Sequence, residues 1–334
     1  MKQDRAQWHA TLRFAVGVTV AFVACELLRW SPSFLAAALT VALLGNLPVR
    51  LSPKLAIGLL ISISFAALLA FLLSVWFRDT PVILFGLLGL CVLLAYHKML
   101  GGGSPLPPLL MLICLAVIPV IALTAPPYAH VLPLALVRGM LVALAVIALV
   151  WIVWPEPIPP KPPAPPPVLA ASPLSLALRA TAVILPLMLV YLLFGLVDVL
   201  PVMIATVMLV ANFDPGRGRL HALGMVAGNF VGGLMGFLMH AVLLTTPNVP
   251  FLATLLFVVT LAFGARIAVG GSLLPVYVIT CNAMLIIFGQ AIAEGSSSLS
   301  LWLVRLFQFS VAGAFAVVMM GFAWHRVPRP AASA

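Results

Sequence analysis

The chain contains twelve long apolar segments, most of them close to the length that a helix needs to cross a lipid bilayer. A spanning helix requires about 20 residues with few or no charges. The segments are residues 12–30, 34–47, 54–77, 80–97, 107–125, 132–154, 175–197, 199–213, 220–245, 249–266, 272–293 and 300–324. Hydrophobic residues make up 64% of the chain and charged residues 7%, too few charges for a water-facing surface. The sequence therefore predicts an all-α polytopic membrane protein with about twelve transmembrane helices, beginning with an uncleaved first helix.

Basic residues are distributed unevenly between the two sides of these segments. If the N-terminus lies inside and the segments alternate, thirteen of the 17 Lys and Arg residues fall on the inner side and four in the outer half. Such residues concentrate in the cytoplasmic loops of membrane proteins. We therefore expect both termini to be cytoplasmic. The net charge of +10 then reflects inner loops, and we expect no nucleic-acid partner.

Two short segments of the chain repeat one polar-ended pattern. "TVALLGN" at 40–46 and "TVMLVAN" at 206–212 share the pattern T-V-x-L-x-x-N at a shift of 166 residues. The triplet "LVR" at 136–138 recurs at 303–305, at a shift of 167. Matches at Asn and Arg carry weight because both residues are rare in this composition. They indicate an internal duplication of six segments, and an even number per half predicts two parallel six-helix repeats.

The duplication defines three regions. A first six-helix transmembrane repeat covers 1–154, a Pro-rich linker covers 155–173, and a second repeat covers 174–334. The linker "PEPIPPKPPAPPPVLAASP" suits an extended polyproline spacer, and the alternation of the segments places it in the cytoplasm. It is interpreted as a tether between the halves, with a ligand for a proline-recognition domain as the alternative.

Arg138 and its repeat mate Arg305 are the candidate substrate-binding cations. Each lies early in the last segment of its half, where a cation in hydrocarbon must face water, pair or snorkel. A guanidinium group grips a carboxylate with two parallel hydrogen bonds, so the duplicated pair predicts an anion site. Gln308 is one helical turn from Arg305 and could share the ligand. Two arginines that only snorkel to the interface are the alternative.

Asn46 and Asn212 end the two short segments. Paired short segments at corresponding places in two repeats point to a substrate site, so both residues are expected to line its inner mouth. The alternative is that each asparagine stops a helix before a basic inner loop.

Three titratable residues are candidate proton carriers. Glu26 lies about a turn inside the outer end of the first segment, Asp198 lies between the seventh and eighth, and His240 is within the ninth. A desolvated acid can titrate near neutral pH, as a proton carrier must. For Glu26 the alternative is a local ion pair with Arg29, and for His240 it is a hydrogen-bonded core histidine.

The ninth segment carries glycines at four-residue intervals: Gly224, Gly228, Gly232 and Gly236. Small residues on one helix face allow close backbone approach, so helix packing is expected, with a sliding surface as the alternative.

The sequence shows no catalytic constellation, metal-ligand spacing, phosphate loop or cofactor motif. We therefore expect no enzymatic activity, no metal and no cofactor, and any active transport must use an ion gradient or a partner.

This layout, with "LVR" at 136–138 and 303–305 and the paired T-V-x-L-x-x-N segments, resembles the fusaric acid resistance and aromatic acid exporter family of bacterial inner-membrane proteins. The resemblance covers nearly the whole chain in layout and is weaker in motif. It implies export of aromatic and other organic acids by the proton gradient. It also implies a bacterial inner-membrane location and a periplasmic adaptor that leads towards an outer-membrane channel. Many members carry a sizeable cytoplasmic domain between the halves, where this chain has only the linker 155–173.

The expected function is therefore proton-driven export of small organic anions, with aromatic carboxylic acids as the first candidates. A passive organic-anion channel is the alternative, since plant malate channels share a related six-span half. A membrane scaffold without transport is the third interpretation. The two halves could pair within one chain or between chains, which leaves a homo-oligomer open.

Overall fold

A computed structural model describes residues 2–46, 50–101, 106–124, 126–155, 172–194 and 218–294, with the single positions 207, 315 and 318. Within these ranges the chain forms ten α-helices and one 3-10 turn, and no β-strand. The helices are α1 (Lys2–Leu27), α2 (Phe34–Asn46), α3 (Pro53–Trp76), α4 (Pro81–Leu100), α5 (Leu106–Thr124), α6 (Val131–Val153), α7 (Pro173–Phe194), α8 (Gly218–Leu243), α9 (Val249–Val269) and α10 (Leu274–Glu294).

Nine of the described helices are long and apolar enough to cross a membrane, with mean hydropathy between 1.6 and 2.7. The tenth, α2, has 13 residues, in agreement with the short second segment of the sequence. The chain is thus a polytopic α-helical membrane protein, as predicted. The segments 199–213 and 300–324 lie outside the described residues except for the three single positions, so the total of twelve spans stays a prediction.

Local sequence sets where the helices begin and end. Helix α9 starts after Asn248, whose side-chain oxygen accepts a hydrogen bond from the Phe251 N–H at 2.8 Å and so satisfies a free amide of the first turn. Its last residue is followed by Gly270 with φ of 70°, a conformation that glycine adopts without a steric penalty. Proline opens α3, α4 and α7, where its missing N–H costs no helical hydrogen bond.

The described helices belong to two compact units. The first comprises the described residues within Met1–Leu60, Leu134–Pro160 and Gly224–Ser310. The second comprises those within Ile61–Pro133, Lys161–Leu223 and Val311–Ala334. Each unit contains helices from both sides of the proline-rich linker, so contacts within a unit join the two predicted halves.

In the first unit, α1 packs along α9 and also contacts α2, while α2 packs against α10. The approach of α1 and α9 is close, because a Cβ added at Gly264 would come within 2.9 Å of the Thr11 carbonyl oxygen. The rings of Phe22 and Phe288 meet at 5.7 Å between centroids and join α1 to α10. These apolar contacts surround the few polar side chains of the unit.

The glycines of α8 pack against α10 in this unit. A Cβ at Gly228 would come to 2.6 Å from the Thr280 hydroxyl, and one at Gly236 to 2.5 Å from the Met284 carbonyl. At Gly232 an added Cβ would collide with the Thr280 carbonyl oxygen. The glycine stripe therefore brings two helix backbones together, as the packing interpretation predicted.

In the second unit, α4 packs against α7 and α5, and α5 also contacts α7. Gly89 of α4 makes room for Leu185 of α7, whose Cδ1 would lie 3.1 Å from an added Cβ. Tyr96 is among the largest fully buried side chains of the described residues.

Candidate functional site

Arg138 is the predicted substrate-binding residue that the structure describes most fully. It lies on α6, is exposed, and holds its guanidinium carbon 5.5 Å from the centroid of the Trp30 ring. A cation over an indole face is attracted by the electrons of the ring. Among the described residues its N–H groups form no hydrogen bond or ion pair, and a guanidinium of this kind can bind a carboxylate through its N–H edge.

The turn after α1 positions Trp30. The main-chain N–H of Trp30 donates to the Cys25 carbonyl at 2.9 Å, and the main-chain N–H of Arg29 donates to the Glu26 carbonyl at 3.0 Å. Arg29 itself adopts a left-handed conformation with φ of 53°. This pair of bonds is a Schellman motif, which reverses the chain and folds the residue after the turn back onto the helix.

Trp30 packs on an apolar cluster that fixes its orientation. The cluster consists of Ala21, Cys25, Ala36, Val146 and Val150, with Val16, Val142 and Trp154 packed around it. Val142 is one turn from Arg138 on α6, so the indole rests on the same stretch of helix that carries the guanidinium. The platform under Arg138 is therefore set by buried contacts of α1, α2 and α6.

The start of α2 packs against Gly139, the neighbour of Arg138 on α6. A Cβ added at Gly139 would come to 3.3 Å from the Ala36 nitrogen, so the α6 backbone passes against the start of α2. Residues 34–36 are buried in this contact, whereas Arg138 is exposed. We call Arg138, Trp30 and the first turn of α2 (residues 34–36) the Arg138 cluster. It combines an exposed guanidinium with an aromatic face, and the buried turn of α2 supports them.

Glu26 lies near the end of α1, two residues before the turn, and is half-buried. Arg29, three residues further, is exposed, and the described residues contain no ion pair between them. The local ion pair considered for Glu26 is therefore not formed. A carboxylate near the C-terminal end of a helix is also opposed by the helix dipole.

Asn46 is the exposed last residue of α2, and its side-chain amide donates to the Ala42 carbonyl at 2.8 Å. The Ala42 carbonyl is also the regular helical acceptor of the Asn46 main-chain N–H, so the side chain folds back on its own last turn. The rest of the repeated segment packs inward. Thr40 is fully buried and donates to the Ala36 carbonyl at 2.8 Å, and a Cβ at Gly45 would come to 2.8 Å from Val278 of α10. Asn46 is thus the last residue of α2, which agrees with the helix-stop interpretation, whereas Thr40 lies in the middle of the helix. The role of Asn46 at the inner mouth stays a prediction.

His240 is buried on α8, one turn beyond Gly236 on the stripe that packs against α10. The core and proton-relay interpretations both stay open for this histidine.

Four of the predicted site residues lie outside the described residues, so the structure does not test their roles: Arg305, Gln308, Asn212 and Asp198.

Sequence reasoning missed the contact made by Arg13. The sequence places Arg13 among the inner-side cations and, at the shift of 166, opposite Arg179, yet Arg13 is buried in α1 and donates from Nη1 to the Trp154 carbonyl at 2.6 Å. Its guanidinium also stacks 3.8 Å from the centroid of the Trp151 ring. Its position inside the candidate segment 12–30 was a signal for burial, but nothing in the pattern named the partner.

Together these helices define the class: a polytopic α-helical membrane protein. Residues 10–150 match a sequence family described as "Protein of unknown function (DUF2955)". No curated protein and no solved structure matches the chain.

Proposed function

We propose that the protein exports small organic anions, foremost aromatic carboxylates, across the bacterial inner membrane by coupling their movement to proton influx. The observation that carries this proposal is the Arg138 cluster. Its guanidinium favours a carboxylate, and Trp30 offers an apolar ring beside it. A ligand with a negative end and an aromatic body complements both features.

Two parallel six-helix repeats are part of the proposal, and the helix boundaries support them. At the shift of 166 or 167 residues, the starts of α3, α4 and α5 fall within one residue of the starts of α8, α9 and α10. The match to the sequence family spans 10–150, close to the extent of the first repeat.

The helix contacts also follow the repeat. In the first unit α1 packs on α9, and in the second unit α7 packs on α4. Under the same shift α1 corresponds to α7, and α4 corresponds to α9. The α1–α9 contact of the first unit and the α7–α4 contact of the second unit therefore join corresponding pairs of helices. In this scheme Arg305 and Gln308 supply the second anion-binding group, and Asn46 and Asn212 line the inner mouth.

Glu26 is the proton carrier that the described residues favour. It is half-buried, has no ion-pair partner among those residues, and lies on the α1 turn that leads directly to Trp30. Asp198 and His240 complete the proposed set. A periplasmic adaptor is the proposed protein partner, and both termini are proposed to be cytoplasmic.

Efflux measurements on single-site variants test this proposal. Cells expressing Arg138→Ala at the wild-type level should export an aromatic acid at least about tenfold more slowly, since a charge-assisted contact is worth about 1.5–3 kcal/mol. Arg78→Ala is the matched control, because Arg78 is another exposed arginine in a predicted outer turn, outside the Arg138 cluster. Wild-type efflux by Arg138→Ala would remove this residue from the site.

An uncoupler separates the exporter from a passive anion channel. Collapse of the proton gradient should stop net export against a concentration gradient. If flux of the anion instead continues unchanged, the passive channel becomes the better description of the protein.

A further inference from the structure

Helix α6 leaves one face uncovered along most of its length. We call this surface the open face of α6. Its residues follow one another at helical spacing, belong to the first compact unit and are all exposed: Leu134, Arg138, Leu141, Ala145, Leu149 and Ile152. On the opposite side of the helix, Leu136, Met140 and Ile147 are buried in the core.

Arg138 is the one charged residue of α6. Hydrocarbon does not solvate a guanidinium group, so a cation on an apolar transmembrane surface needs a compensating partner. The Trp30 ring lies on one side of it, and no acidic group of the described residues pairs with it. A bound anion would supply the missing charge.

The apolar residues that follow Arg138 extend over the length of an acyl chain. Leu149 lies 11 positions after Arg138, which is about 16 Å along a helix that rises about 1.5 Å per residue. The hydrocarbon of one leaflet is about 15 Å thick, half of the bilayer core. Leu141 and Leu149 are each about half exposed along this path. The open face thus has a cationic end and one apolar row of matching length.

We propose that the open face of α6 binds a fatty acid from the surrounding bilayer, with its carboxylate at Arg138 and its chain along Leu141, Ala145 and Leu149. The proposal rests on the carboxylate-binding role that the proposed function gives to Arg138, and it adds an aliphatic ligand that reaches this residue from the lipid.

Other occupants complement the open face less well. A small soluble anion would use the guanidinium but leave the apolar row uncovered. A phospholipid has two acyl chains, whereas the face is a single row of side chains. A second copy of the chain, related by a two-fold axis on this face, would bring two Arg138 guanidinium groups together, which their like charges oppose.

Photolabelling of the full-length protein tests the site without a transport step. The protein is reconstituted in phosphatidylcholine with dodecanoate that carries a diazirine in its chain or, in the parallel sample, with the methyl ester of the same acid. Mass spectrometry then locates the labelled peptides. We expect the carboxylate to label residues 138–152 at least about tenfold more than the ester, because only the ionised probe makes a charge-assisted contact.

Five variants assign the binding to Arg138 and to the apolar row. Arg138→Gln should reduce labelling by the carboxylate to the level of the ester. Arg138→Lys, which keeps a cation, should retain most of it, as should Arg78→Gln at the exposed turn after α3. Leu141→Asn should also reduce the labelling, whereas Leu90→Asn, at a similarly exposed site of α4, should not.

Three results would overturn the proposal. They are equal labelling by the carboxylate and the ester, displacement of the probe by phosphatidylglycerol, and an interchain disulfide in Leu141→Cys that places a second copy on this face. In each case, slow efflux of an aromatic acid by Arg138→Ala would still support the proposed function, so the two failures are distinguishable.

Discussion

The Nη1 group of Arg13 donates a hydrogen bond to the main-chain carbonyl of Trp154 at 2.6 Å, although the two residues are 141 positions apart in the chain. The same guanidinium stacks on Trp151. Since Trp154 directly follows α6, the bond places a cation at the C-terminal end of that helix, where the helix dipole is negative. Arg13 thus joins the first helix of the chain to the sixth.

Arg13→Leu should destabilise the protein by about 2 kcal/mol. The variant keeps a short apolar side chain but leaves the Trp154 carbonyl without its charged donor and the Trp151 ring without the guanidinium that stacks on it. Unfolding in detergent micelles, followed by heat or denaturant, measures the change. Arg78→Leu is the control, because Arg78 is exposed at the turn after α3. An unchanged midpoint for Arg13→Leu would mean that water replaces the bond at no cost.

Arg179 is the repeat counterpart of Arg13, and its Nη1 is buried without a hydrogen-bond partner among the described residues. The proposed duplication predicts that Arg179 contacts the end of the twelfth segment, as Arg13 contacts the end of α6. Arg179→Leu should then cost about as much as Arg13→Leu in the same unfolding assay. A negligible cost at Arg179 alone would show that the repeat does not extend to this contact.

Gly232→Ala should destabilise the protein by about 1–3 kcal/mol, because the new methyl group would collide with the Thr280 carbonyl and force α8 away from α10. Gly86→Ala is the matched control in α4, where nothing lies within 4 Å of the added carbon. That substitution should be neutral or stabilise by up to about 1 kcal/mol, since alanine loses less backbone entropy in a helix. Equal effects of the two substitutions would contradict the close packing of α8 on α10.

Arg29→Gly should stabilise the protein by about 0.5–1 kcal/mol. A left-handed conformation strains a residue with a Cβ atom, and glycine removes that strain at the turn that positions Trp30. Arg78→Gly makes the same exchange at another exposed turn without positive φ and should lower stability slightly. If Arg29→Gly also lowers the unfolding midpoint, the side chain of Arg29 has a stabilising contact that outweighs the strain.

The sequence predicted the parts of the fold that the bilayer dictates. A bilayer fixes the length and polarity of each crossing, so nine spans and the short α2 could be read directly from the apolar segments. The four-residue glycine spacing of α8 could also be interpreted, because close backbone approach needs small residues on one face. These predictions depend only on the length, the apolar composition and the residue spacing within each segment.

Contacts between distant segments could not be predicted in the same way. The "LVR" triplet identified Arg138, but nothing near it indicated that Trp30 would lie under its guanidinium. That contact follows from the left-handed turn at Arg29, an arginine where such a turn usually has glycine. Arg13 likewise resembled any inner-side cation until packing brought it to the end of α6.

The central claim is that Arg138 recognises the carboxylate of an exported aromatic acid. The most direct measurement compares, in proteoliposomes with an imposed pH gradient, transport of an aromatic carboxylate and of its neutral amide by wild type and by Arg138→Ala. Wild type should prefer the carboxylate, and Arg138→Ala should lose at least about tenfold of that preference while amide flux stays the same. An undiminished preference for the carboxylate in Arg138→Ala would contradict the claim.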